Sequence, residues 1–196
     1  MNAQDHPRGR VGEPPATGAA GVDAEPDAES VARAIALRLL NHSPRSRTQL
    51  AEAMARKDVP EEVADRVLDR FTEVGLIDDW QYAQMLVRTR QSERGLARRA
   101  LADELRRKGI GTEEAEAALA TVQPEDEERA ARELLARKAP ASAGLDPVKR
   151  RRRLVSMLGR KGYPPGLSYR LVSEVLADDG EGPFDDADEA PGLQSP

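Results

Sequence analysis

The chain has 196 residues, with 30 Lys and Arg against 35 Asp and Glu, two His and no Cys. The missing cysteines exclude disulfides and thiolate metal sites, and two histidines are too few for a convincing zinc site or Ser-His-Asp arrangement. Aromatic residues make up 3% of the chain, a composition that starves a β-sandwich or barrel and suits packed helices.

The net charge of -5 is unevenly spread. Residues 1–29 hold six acidic and two basic side chains, and residues 178–196 hold seven acidic and no basic ones. The body between them carries 28 Lys and Arg against 22 Asp and Glu, a net of +6. Such a body favours nucleic acid or acidic protein surfaces, while acidic tails compete with those partners or simply aid solubility. The apolar runs are too short to cross a bilayer, and residues 1–10 lack the apolar stretch of a signal peptide. No membrane partner and a cytoplasmic location are therefore expected.

Residues 1–29 mix Pro, Gly, Ala and acid without apolar periodicity and are expected to be disordered. A first helix is predicted over Ser30–Asn41, where Val31, Ile35 and Leu39 recur every four residues. The HSPRS stretch breaks it, because proline lacks a donor and clashes with the preceding turn. Helices follow at about 46–57 and 60–74, the latter with Val63, Val67, Phe71 and Val74 in one stripe and Pro60 suited to its first turn. The next three are expected at about 79–91, 96–108 and 112–122, and a last trio at about 125–138, 147–161 and 165–177. A long loop, APASAGLDP, separates the seventh helix from the eighth. Residues 178–196 return to the composition of the leader and are expected to be disordered.

The trios are similar to one another. LAEAMARKDV (50–59) aligns with LADELRRKGI (101–110) and LVSMLGRKGY (154–163), each an apolar pattern ending in Lys, Gly or Asp, and an apolar residue. Three such runs in register imply one three-helix unit repeated three times, over 30–77, 78–123 and 124–177. The Lys-Gly step is expected to be a helix C-cap with a left-handed glycine. Units of this size bury little alone, so they should stack into an elongated, curved, all-α array.

The paired carboxylates Asp78 and Asp79, in EVGLIDDWQYA, invite a metal or acid-base reading. Their setting favours another. Gly75 is expected to end the third helix in a Schellman motif, with Leu76 folding back toward Phe71. Asp78 is expected to be the N-cap of the fourth helix, with Gln81 completing a capping box and Ile77 and Tyr82 forming a staple. Asp79 falls in the first turn, where the helix dipole favours an acid. No phosphate loop or Glu-x-x-His pair is present. The expectation is therefore a non-enzyme with no catalytic residue, no metal and no cofactor.

Taken together, the tandem units, GLIDDWQYA at the first join, RGLARRALADELRRKGI in the second unit and RRLVSMLGRKGYPPGLSYRLV in the third resemble the RecX family of regulatory proteins. The resemblance covers about residues 30–177, and Asp58 departs from the Gly of the other two repeats. It implies nine or so helices in three repeats and a modulator of the RecA recombinase. Such a protein would bind the RecA nucleoprotein filament and inhibit its ATPase, extension and strand exchange during recombination, DNA repair and the SOS response. Some family members also bind DNA, so single- or double-stranded DNA is a second expected partner, and the chain itself is expected to be monomeric. No residue-level site carries over. From charge alone, the candidate partner or DNA contacts are Arg88, Arg90, Arg98, Arg99, Arg106, Arg150, Arg151 and Arg152. The alternative for each is a solvated arginine whose stem covers the core.

Overall fold

The computed structural model describes residues 27–180, so most of the two segments expected to be disordered lies outside the described residues. Helices α1 (Ala28–His42), α2 (Arg47–Ala55) and α3 (Glu61–Glu73) form the first repeat. Helices α4 (Asp79–Arg94), α5 (Arg98–Arg107) and α6 (Thr112–Leu119) form the second, and α7 (Pro124–Lys138), α8 (Pro147–Arg160) and α9 (Pro165–Asp178) the third. There is no strand among the described residues. The stretch read as a loop after α7 instead opens with a 3-10 turn, Ala139–Ser142.

Each repeat closes its own core. In the first, Leu50 and Met54 of α2 meet Ala32, Ile35 and Ala36 of α1 and Val67, Leu68 and Phe71 of α3. Leu101 and Leu105 play the α2 part in the second, and Leu154 and Leu158 in the third. These pairs recur every four residues, so each second helix turns one apolar edge inward. Packing these edges removes most of the apolar side-chain area from water, the main favourable term in folding.

The second helix of every repeat ends in the same turn. A left-handed residue follows within two positions of its C-cap: Asp58 at φ 58°, Gly109 at 68° and Gly162 at 88°. The next amide then bonds back to the last buried apolar residue of the helix, as Val59 N to Met54 O, Ile110 N to Leu105 O and Tyr163 N to Leu158 O. This is the Schellman geometry, which satisfies carbonyls the helix would otherwise leave without partners. Gly75 (φ 72°) ends α3 in the same way, through Leu76 N to Phe71 O at 2.8 Å.

In the second and third repeats that turn is also the joint to the preceding repeat. The Ser46 hydroxyl, at the N-cap of α2, donates to Lys108 O at 2.5 Å, and the Thr48 hydroxyl donates to Gly109 O at 2.8 Å. One repeat later, the Ala97 amide at the N-cap of α5 donates to Lys161 O at 2.9 Å. Lys161 Nζ donates to Arg94 O at 2.7 Å and the Tyr163 hydroxyl to Gly95 O at 3.1 Å. Burial pushes the Tyr163 hydroxyl up to about 12, so it stays a donor at neutral pH. Contact is close enough to leave no room for a side chain: a Cβ on Gly109 would lie 2.4 Å from Thr48, and one on Gly162 would lie 2.6 Å from the Ala100 backbone nitrogen. Asp58, the equivalent residue of the first repeat, is exposed and makes no such joint among the described residues.

The paired aspartates divide their work. Asp78 caps α4, accepting from the Gln81 amide at 2.8 Å. Asp79 reaches out of its own helix and accepts from the Arg47 amide, in the first turn of α2, at 2.9 Å. Burial raises the Asp79 carboxyl above its ordinary value, opposed by that amide bond. Reciprocal capping-box geometry occurs at Ser46 and Gln49, on α2.

In the third repeat, α7 and α9 are clamped by charge. Glu128 accepts from Arg170 at 2.7 Å and from Arg132 at 2.8 Å, and Arg132 also reaches Glu174 at 2.6 Å. The bonds from Arg170 and then Arg132 lower the Glu128 carboxyl from 4.5 to about 2.

Five outcomes are expected. Gly162→Ala adds a clash to left-handed strain and should lower unfolding stability by about 2–4 kcal/mol in denaturant melts. Gly75→Ala, with nothing within 4 Å of the new Cβ, should cost only about 1 kcal/mol. Removing the α4 cap with Asp78→Ala should cost about 1 kcal/mol. Asp79→Ala should cost at least as much, because it strips an acceptor from α2 in the neighbouring repeat, and amide exchange should quicken at Arg47. Finally, the Glu128 clamp stabilises the fold fully above pH 4.5, and that contribution is lost as pH falls through about 2. Thermal melts of wild type and Glu128→Gln should therefore differ at pH 6 and converge near pH 2.

A candidate partner-binding groove along the second repeat

The eight arginines expected at a contact surface separate into two groups. Arg150 is 2% exposed and belongs to the interior of the third repeat. Its guanidinium donates to Asp179 at 2.5 Å, to the Ser142 hydroxyl at 3.3 Å and to Ala139 O at 3.5 Å, joining α8 to the end of α7 and the end of α9. A buried guanidinium so bonded is an internal tie, and Arg150 is corrected accordingly. Arg90 is also turned inward. Its Nε donates to Glu104 at 2.6 Å between α4 and α5, and that bond holds the guanidinium still more firmly protonated. Arg98 is exposed at its stem but committed at its head, donating to Leu119 O at 2.5 Å at the C-terminus of α6. There a cation meets the negative end of the helix dipole. Its amide is held by Glu127 at 2.6 Å.

Arg88, Arg99, Arg106 and Arg152 are exposed, and Arg151 is half-buried. Arg106 pairs with Asp103 one turn away at 2.8 Å, a surface contact worth little. Of the eight, Arg88 occupies the distinctive place. It lies where two open grooves meet, one between α4 and the first repeat and one between α4 and α7.

The first groove is lined by Leu40, Pro44 and Arg45 from the first repeat, Leu76 from the turn after α3, and Trp80 and Met85 on α4. The second runs past Thr89 and Ser92 of α4 to Asp126, Arg129 and Glu133 of α7. Trp80, Gln84 and Arg88 follow one another at four-residue spacing, so they form one stripe along α4. The stripe therefore has the first repeat on one side and the third on the other. Trp80 and Leu76 are each about half exposed, at 49% and 50%, and Val74 in the same turn is 54% exposed. Large apolar side chains collected in a concavity are the usual mark of a protein contact.

Sequence reasoning missed this groove. The available signal was the Trp80, Gln84, Arg88 spacing, together with two bulky apolar residues, Val74 and Leu76, placed around a helix-ending glycine. Among the described residues there is no cluster of three or more His, Asp or Glu placed to hold a metal, and no helix long and apolar enough to cross a membrane.

The three repeats correspond to known domains. Residues 32–71 match the first three-helix domain of RecX, residues 78–119 the second and residues 125–172 the third. The chain is 49% identical to the regulatory protein RecX of Streptomyces coelicolor over 174 residues, covering 89% of this chain and 87% of that protein. It is 48% identical to the RecX of Thermobifida fusca over 160 residues, covering 82% and 86%. A crystal structure of RecX from Lactobacillus salivarius shares the fold at a TM-score of 0.66 and 21% identity, over 76% of this chain and 97% of that one. A further RecX crystal structure matches at the same TM-score with 24% identity, over 76% and 72%. Three matched domains in order and near-full-length relatives lead to one conclusion: the chain belongs to the RecX family of regulatory proteins.

Proposed function

We propose that this protein is a non-enzymatic regulator that binds the RecA nucleoprotein filament and restrains its ATPase, its extension and its strand exchange, and so acts in recombination, DNA repair and the SOS response. Family membership supports a regulatory role. The observation that carries the reading further is the pair of grooves meeting at Arg88, because the face they form draws residues from all three repeats. A surface assembled that way suits an extended, repetitive partner, which several joined units can grip at once. Inhibition then needs no catalytic residue. Occupying a filament groove hinders subunit exchange or the closure that hydrolysis requires, and contacts with neighbouring protomers reinforce one another through effective concentration.

A second reading rests on the exposed cations Arg99, Arg106, Arg152 and Arg153. Such side chains hold phosphates without reading sequence, so the chain would act by covering DNA. The two readings differ in their response to DNA. Titrated into a preformed filament, this protein should suppress ATP hydrolysis at substoichiometric amounts whether DNA is just saturating or in tenfold excess. Suppression that vanishes with excess DNA would sink the filament reading and favour the phosphate one.

A further inference from the structure

We propose that the Trp80 end of the groove seats a protein segment that presents one bulky apolar side chain beside carboxylates. As a statement about this protein's partner, it rests on the filament reading above and places that contact on the filament protein rather than on its DNA.

The floor at this end is apolar. Leu40, Pro44, Leu76, Trp80 and Met85 line it, and Trp80, the only tryptophan in the chain, stands half exposed over it. A side chain inserted here would be gripped on several sides, the setting in which a single aromatic dominates an interface. The rim is cationic. Arg45 and Arg88 flank the floor, whereas the nearby carboxylate, Asp78, is engaged in capping α4. Arg45 adds a second, independent sign. Its Nε is enclosed without a hydrogen-bond partner among the described residues. An enclosed donor left in that state is unfavourable, because its lost water bond is not replaced. A carboxylate arriving at the rim and drawing the guanidinium toward itself would relieve it. Charge and shape therefore ask for an acidic segment with an apolar anchor.

Nucleic acid fits less well. Its phosphates would find Arg45 and Arg88 at one end, but the continuation of the groove presents Glu133 and an Arg129 already paired with Asp126. The aliphatic floor also offers bases little beyond the single indole.

Because Trp80 is the sole tryptophan, its emission reads this site directly. Three probes would be titrated into the full chain: an acidic hexapeptide with a central Phe and no Trp, the same peptide with its acids changed to Lys, and oligodeoxythymidylate. The acidic peptide should shift the emission saturably, and Arg88→Glu should weaken that response at least about fivefold through charge repulsion. An equal or stronger response to the Lys peptide or to the oligonucleotide overturns the assignment. So does no response to any of the three probes. In the ATPase titration, Trp80→Ala should raise the half-inhibiting concentration about tenfold or more, as loss of an interface anchor does. Trp80→Phe should recover most of it, and melting curves should show that both variants fold. Undiminished inhibition by Trp80→Ala overturns the contact. Failure of the wild type to inhibit instead counts against the filament reading, and the peptide titration still decides what the groove accepts.

Discussion

Everything beyond the individual three-helix units depends on one backbone feature, the left-handed turn at the end of each second helix. A helix must release its last carbonyls to something, and the Schellman turn satisfies them within the chain. That turn also leaves the carbonyl of Lys108 or Lys161 pointing outward as an acceptor. The preceding repeat uses it: Ser46 donates to the first and Ala97 to the second. One device therefore ends a helix and joins two repeats. Glycine is required twice over at Gly109 and Gly162, once for φ and once for proximity, whereas Gly75 answers only to φ.

The same device differs in the first and third repeats. At the first repeat the turn carries Asp58 at φ 58°. Its side chain occupies the position that the two glycines leave empty for a neighbouring helix start. At the third repeat the donor face is the part that changes. In repeat register, Ser46 and Ala97 correspond to Arg150, but α8 begins a turn earlier, with its N-cap at Asp146. The helix start that receives a neighbouring turn is thereby overgrown, and Arg150 fills the space with bonds to Ser142, Ala139 and Asp179. Repeat arrays generally need atypical ends to keep their stacking surfaces from recruiting more copies. Here the first and third repeats each depart from the shared pattern in the element that forms the internal joints.

This architecture was largely legible in the sequence because it is written in spacing. The apolar positions at Leu50 and Met54, Leu101 and Leu105, and Leu154 and Leu158 announce the unit, and Pro60, Pro147 and Pro165 mark helix starts. Helix limits differ from expectation by up to three residues, as at α6, which ends at Leu119 where apolar periodicity runs on to Val122. Charge was read less well. Arg150 and Arg152 are two residues apart in one basic run, but a helix turns about 200° over that distance, so one is buried and the other exposed. No count of arginines separates them. Nor does sequence tell that Arg90 has Glu104 opposite it, or that Asp79 serves α2 instead of its own helix. Contacts between elements are a property of how repeats meet, and spacing within one repeat does not contain it.

That limit falls where function is most exposed. The face around Arg88 exists only because α4 is held between the first repeat and α7, so no single repeat carries it. Its shape is set by the joints, above all by Asp79 against Arg47 and by Lys161 and Tyr163 against the end of α4. These are hydrogen bonds at the edges of otherwise separate cores, each worth about 1 kcal/mol net. Loosening one would leave three intact cores while letting the repeats shift, so the groove is the part of the molecule most sensitive to joint chemistry. Under the proposed filament-binding role, specificity would lie in that angle. Asp79, which crosses from α4 to the start of α2, is among the residues that set it.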